Sequence, residues 1–124
     1  MEITGEPQHF TTAQEWRAWL QAHHADTKEV WLVFYKKHTG TLGITFDEAT
    51  DDALSFGWID SSMKRIDDEK YVLRYTPRRK GSNWSEANKR RVAKLIEQGR
   101  MTEAGFAKID QAKQDGKWDT RRLP

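Results

Sequence analysis

Cysteine is absent from the 124 residues, which removes disulfides, thiolate metal sites and a cysteine nucleophile together. Aliphatic bulk is scarce as well: Leu, Ile, Val and Phe supply 22 residues, a share that suggests disorder when net charge is high. The net charge is only +2, and six Trp and three Tyr add apolar area that the aliphatic count misses, so a folded domain with an aromatic-rich core is expected. No apolar run approaches the roughly 18 residues of a membrane span, and MEITGEP at the start has neither the basic end nor the apolar stretch of a signal peptide. A cytoplasmic address is therefore expected. The four histidines, at 9, 23, 24 and 38, form no HExxH or HxH spacing, so neither a metal nor a cofactor is expected. With no repeat and no Gly/Ser/Pro linker, residues 1–124 read as one domain around one core, with frayed ends at about 1–8 and 119–124.

Thr12 and Glu15 have the spacing of a capping box, and Trp16, Trp19, Leu20 and His23 follow at helical intervals. His23 and His24 then offset the helix dipole at its C-terminal end. EVWLVFYKK (29–37) predicts a strand whose two apolar faces suggest a central position. A second capping box, Thr45 with Glu48, opens a helix carrying Phe46, Ala49, Ala53 and Gly57 on one side. GWIDSSMKRI and KYVLRYT, joined by Asp67, Asp68 and Glu69, predict an antiparallel hairpin with Tyr71, Leu73 and Tyr75 on its buried face and Pro77 at its end. Two helices complete the chain. One starts near Ser85 with a Val92, Leu95 and Ile96 stripe and ends at Gly99; the other is capped by Thr102, presents Phe106, Ile109 and Ala112 or Lys113, and closes at Gly116 with Trp118 packing back. The order α-β-α-β-β-α-α predicts an α+β class with a small, mainly antiparallel sheet.

The near balance of charge hides a division. Residues 74–94 hold eight Lys and Arg against the single acid Glu86, a segment charge of +7, while the remaining 103 residues carry −5. Such polarity can hold an anionic partner. Arg78, Arg79 and Lys80 have no local acid to pair with, and Ser82, Asn83, Trp84 and Ser85 lead into a helix start, where hydroxyls, an amide and free N–H groups converge on one anion. Arg91 adds a forked donor, Asp60 is placed to orient one of these arginines, and Trp84 offers a packing anchor or a stacking face. Arg90 and Lys94 oppose the apolar stripe and read as a solvated face. The expected partner is an anionic ligand (a nucleotide or a nucleic-acid phosphate) or an acidic protein surface. Nucleic acid is the weaker choice, because +2 is modest for a protein whose task is neutralising phosphates.

FGWIDS (56–61) is the second candidate. A glycine between two aromatics suggests close backbone approach, and two-residue alternation puts Asp60, Ser62 and Lys64 on one strand face. That trio supports an alternative reading as an enzyme, although no GxSxG or SxxK spacing accompanies it. A third reading is a pure protein-interaction module, which requires an exposed Trp84.

FGWIDS (56–61), TPR with SNWSEANKRR (76–91) and LIEQGRMTEAG (95–105) closely resemble the bacterial YdeI/OmpD-associated, or bacteriocin-protection, family over roughly residues 9–118. The resemblance implies a YjbR/CyaY-like α+β fold and a link to antimicrobial-peptide or stress resistance, and it carries over no catalytic residue. Longer members continue past the Gly116–Trp118 position into a C-terminal helical region, whereas this chain stops at Pro124, so that region's contribution is expected to be absent or supplied elsewhere.

Overall fold

A computed structural model describes residues 3–118. In chain order it has α1 (Ala13–His23), β1 (Val30–Tyr35), a short 3-10 turn (Lys37–Thr39), α2 (Phe46–Ser55), β2 (Trp58–Arg65), β3 (Lys70–Pro77), α3 (Glu86–Glu97) and α4 (Glu103–Gln114). This is the α+β order expected from the sequence. The helix starts arise from side chains that accept otherwise unpaired N–H groups. Thr12 with Glu15 and Thr45 with Glu48 form complete capping boxes, and Ser85 and Thr102 cap α3 and α4. No helix among the described residues is long and apolar enough to cross a membrane.

The sheet is antiparallel in the order β1-β3-β2, so the hairpin strand β3 is central. The two apolar faces of EVWLVFYKK therefore do not mark a middle strand. Trp31 is buried on the second face by local cover: its indole N–H reaches Glu29 Oε1 at 2.9 Å and Thr4 Oγ1 at 3.3 Å. Gln8 bridges the outer edge of β1, donating to the Trp31 carbonyl at 2.8 Å and accepting from Val33 at 2.9 Å. Residues 4–8, expected as part of a frayed end, are thus tied to the sheet; the frayed segment expected at 119–124 lies outside the described residues.

The apolar interior falls into two clusters, not the single core expected. In the first, Trp16, Leu20, Ala49, Ala53 and Phe56 pack on the sheet face formed by Leu32, Phe34, Leu73, Tyr75 and Trp58. In the second, Leu54, Trp84, Val92, Leu95, Ile109 and Ala112 pack together, with Trp118 against them. Helix α2 belongs to both, which is why one small chain can hold them. Ile96 and Phe106, expected in the core stripes, are exposed, because α3 and α4 turn narrower faces inward than the apolar pattern suggests.

Close backbone approach decides where α4 sits. Gly57, with φ +79°, lies under α4, and a β-carbon there would stand 2.9 Å from the Ala104 carbonyl oxygen. Gly105 lies over the end of α2, where a β-carbon would collide with the Ser55 carbonyl oxygen and meet that of Leu54 at 3.0 Å. Side-chain atoms of Lys108 and Met101 also stand at 2.7 Å from these two positions, but the carbonyl oxygens belong to the backbone and cannot swing away. Gly105→Ala is accordingly expected to cost about 3 kcal/mol through overpacking, a fall in Tm on the order of 10 °C for a domain of this size. Thermal unfolding by circular dichroism checks this, and an unchanged Tm would contradict the close crossing.

Candidate functional site

The basic segment begins where β3 leaves the sheet. Pro77 pairs with Trp58, and the Arg78 N–H then donates to the Gly57 carbonyl at 2.8 Å. The Arg78 carbonyl accepts from Lys108 Nζ at 2.7 Å. The Arg78 backbone is thereby clamped between the FGWIDS turn and α4, and its side chain is held inside: the residue is 4% exposed, with the guanidinium 3.8 Å from the Trp84 ring centroid. Arg78 Nε has no hydrogen-bond partner among the described residues. A cation–π contact offsets part of the cost of burying a charge, but it leaves that N–H unanswered. Burial lowers the Arg78 pKa from the ordinary arginine range to about 10, against a through-space attraction from Asp60 that favours the charged form.

Arg79, Lys80, Gly81 and Ser82 make a turn closed by Ser82 N–H on the Arg79 carbonyl at 3.2 Å, with Gly81 at φ +82°. That backbone conformation suits glycine, and Arg79 and Lys80 beside it are exposed. Between the turn and α4 lies a cleft of about 180 Å³, lined by Arg78, Arg79, Lys80, Ser82, Lys108 and Gln111 as well as Trp84. No described carboxylate lines it. Arg79 and Lys80 make no ion pair among the described residues. On its other side the turn adjoins a second cleft of about 320 Å³, where Arg79 and Ser82 recur beside Ser61, Arg74 and Thr76.

Of the residues expected to form the anion site, Arg78, Arg79, Ser82 and Trp84 meet at the first cleft. Trp84 does so differently from expectation. It is 3% exposed, with Arg78 against its ring and the Trp118 ring 5.1 Å away, so it is no free stacking surface. Arg91 lies elsewhere: its guanidinium binds Asp47 at 2.7 Å and Asp51 at 3.0 Å, two acids on α2. Ser85 is engaged as the α3 cap, accepting from Asn88 N–H at 3.1 Å, and Asn83 is exposed outside the cleft lining. Asp60 acts on Arg78 at long range and makes no salt bridge with it.

Asp60, Ser62 and Lys64 do not share a face. A bulge between Asp60 and Ser62 pairs the former with Tyr75 and the latter with Arg74, and adjacent residues of β3 point to opposite sides of the sheet. The sequence reading also missed Lys108 and Gln111. They lie three residues apart on α4, beside the Ile109 and Ala112 stripe, and only the helix crossing marked by Gly57 brings them to Arg78. Among the described residues no group of three His, Asp or Glu side chains could hold a metal ion.

Comparison with known proteins gives one family: the profile of a domain of unknown function (DUF8412) matches residues 8–108. No curated protein and no solved structure matches the chain.

The unpaired buried charge of Arg78 makes a prediction about stability. Arg78→Met keeps much of the side-chain volume over Trp84 and removes the incompletely solvated cation, so the isolated protein should gain about 1 kcal/mol. The sign with pH follows from the lowered pKa. Above about pH 10 the folded protein releases the Arg78 proton while the unfolded chain keeps it, so stability of the wild type should rise relative to Arg78→Met there. Chemical denaturation of both proteins at neutral pH and near pH 10.5 measures this; a destabilised Arg78→Met at neutral pH would mean that the guanidinium is a structural asset.

Proposed function

The chain belongs to this family of domains of unknown function, and from its own side chains we propose that it is a binding protein that receives an anionic group in the cleft between residues 78–84 and α4. The observation that carries the reading is the buried Arg78 with its unpartnered Nε, at a cleft without a described carboxylate. Buried polar atoms are almost always satisfied, and an arginine left short of an acceptor is complementary to phosphate or carboxylate oxygens. Arg79 and Lys80 supply the outer charge that attracts the ligand, Ser82 and Gln111 supply neutral hydrogen bonds, and Lys108 adds a fourth cation whose ammonium already holds the Arg78 carbonyl. At about 180 Å³ the cleft is below the roughly 300–1,000 Å³ that encloses a whole small molecule, so it takes a charged group of a larger ligand or a small inorganic anion.

The enzymatic alternative has less support, because the bulge in β2 separates Asp60 from Ser62 and Lys64. The interaction-module reading needs an exposed Trp84, and that ring is buried. The YdeI/OmpD-associated resemblance, with its YjbR/CyaY-like label, its link to antimicrobial-peptide or stress resistance and a bacterial cytoplasmic setting, belongs to this proposal and adds no residue to the site.

Isothermal titration with inorganic phosphate at low salt tests the reading, alongside thermal shift. Phosphate should raise Tm in a saturable way. The double variant Arg79→Ala with Lys80→Ala should weaken binding on the order of tenfold and flatten its salt dependence, with little change in the Tm of the free protein. Arg91→Ala, which breaks the α2–α3 ion pairs, should lower Tm and leave phosphate affinity alone. Absence of saturable binding, or an affinity indifferent to Arg79 and Lys80, would remove the proposal.

A further inference from the structure

The turn at residues 79–82 has a cleft on each side, and both are lined by Arg79 and Ser82. One side holds Arg78, Lys80 and Lys108; the other holds Arg74, Ser61 and Thr76. No described carboxylate lines either side. The two are unequal. Arg74 is already drawn to Glu29, with its Nε 3.0 Å from the carboxylate, and its Nη1 donates to Ser61 Oγ at 3.3 Å, whereas Arg78 has an unanswered donor. The first cleft thus suits a single charged group beside Arg78, and the second could take a further group contiguous with it past Arg79.

Nothing at either cleft can read a nucleobase by stacking. Trp84 is the aromatic residue of the first cleft, and its ring is covered by the Arg78 guanidinium and approached by Trp118. No described aromatic residue lines the second. Base–aromatic stacking is the usual sequence-tolerant source of affinity for nucleotides and single strands, and here it has no platform. The available donors are guanidinium and ammonium groups, hydroxyls and an amide, which suit phosphoryl oxygens.

Resting on the anion-binding reading above, we infer that the ligand is a linear oligophosphate, a pyrophosphate or longer chain either free or as the tail of a nucleotide. Its end group sits at Arg78 and the chain crosses Arg79 and Ser82 toward Arg74. Arg79 is the cation common to both halves, with Ser82 the shared hydroxyl, so both face every phosphate of a short chain.

Titration of the full chain with orthophosphate, pyrophosphate, tripolyphosphate, ATP and GTP at fixed ionic strength tests this. Affinity should rise from orthophosphate to tripolyphosphate, with pyrophosphate on the order of tenfold tighter than orthophosphate, the gain of about one further charge-assisted contact. ATP and GTP should match one another and fall no tighter than tripolyphosphate. Ser61→Asp places a carboxylate beside Arg74 at an exposed position of β2; it should remove the gain with chain length while leaving orthophosphate affinity within about twofold. Orthophosphate binding with no gain for longer chains would overturn the oligophosphate assignment and leave the anion site standing. Preference for one base, or tighter binding of single-stranded oligothymidylate than of tripolyphosphate, would overturn it too. Failure of every anion to bind would bring down both.

Discussion

The crossing of α4 over the end of α2 is the constraint on which the cleft depends. Thr102 donates from both its backbone N–H, at 3.1 Å, and its hydroxyl, at 2.7 Å, to the single carbonyl of Ser55. Gly105 then lies directly over that carbonyl, and Gly57 receives Ala104 and Lys108 from the other side. One turn earlier, Asp52 Oδ1 accepts from Arg17 at 3.0 Å and from Arg100 at 2.9 Å, while Arg17 also donates to the Arg100 carbonyl at 2.9 Å. Three separate pieces of chain, α1, α2 and the α3–α4 connection, therefore meet at one carboxylate oxygen. Hydrogen bonds have direction and apolar contacts do not, so this polar crossing, more than the apolar cluster beneath it, sets the distance from Lys108 to the Arg78 carbonyl. Asp52 is buried while Arg17 and Arg100 reach it from partly exposed positions, and its two charge-assisted hydrogen bonds are reason to regard it as the residue that ties the α3–α4 connection to α1 and α2.

Asp52 and Arg78 are two buried charged groups treated in opposite ways. Asp52 is 1% exposed and has two guanidinium partners. Arg78 is nearly as buried, yet its neighbours are an indole ring, a distant carboxylate and open cleft. A fold that needed the Arg78 charge only for stability would place an acid against it, as it does at Asp52 and again where Asp47 and Asp51 hold Arg91. The fold instead clamps the Arg78 backbone at both ends and leaves Nε buried without a partner. Perturbed and under-satisfied groups gather at functional sites, and on the proposed reading an anion meets the part of this guanidinium that lines the cleft.

Much of the fold was legible because it is encoded locally. Thr12 with Glu15, Thr45 with Glu48, Ser85, Thr102 and the αL glycines Gly99 and Gly116 act within a few residues of themselves, and each does what its spacing predicts. What escaped is nonlocal. Arg91 meets its acids 40 and 44 residues upstream, so a local search for ion pairs could not find them. Trp84 stands in a run of polar and basic residues and is buried because Val92, Leu95, Ile109 and Ala112 arrive from two later helices. The bulge at Asp60 adds one residue to β2 against β3, and a single insertion reverses every face downstream of it. Gly57 was the one local sign of the crossing, and it identified that a backbone comes close without saying whose.

The segment charge takes on a different meaning once partners are assigned. Of the eight cations between 74 and 94, Arg74, Lys89 and Arg91 lie against Glu29, Glu86 and the Asp47/Asp51 pair, and Arg90 and Lys94 stand on the far side of α3, facing those same α2 acids. The +7 of the sequence therefore does not act as a single field. The part left to the cleft is Arg78, Arg79 and Lys80, three consecutive residues, with Lys108 opposite. These cations also differ in kind. Arg79 and Lys80 stand in solvent, where salt at physiological strength screens charges over about 8 Å, so in the proposed site they attract an approaching anion and weaken as salt rises. Arg78 lies under the surface, where screening is weak and desolvation strong, so in the proposed site its role is confined to an anion already seated. On the anion-binding proposal, a near-neutral protein holds one anion selectively without becoming a general polyanion binder, since the outer pair is too small to retain a long phosphodiester by charge alone and the inner guanidinium meets only what fits the cleft.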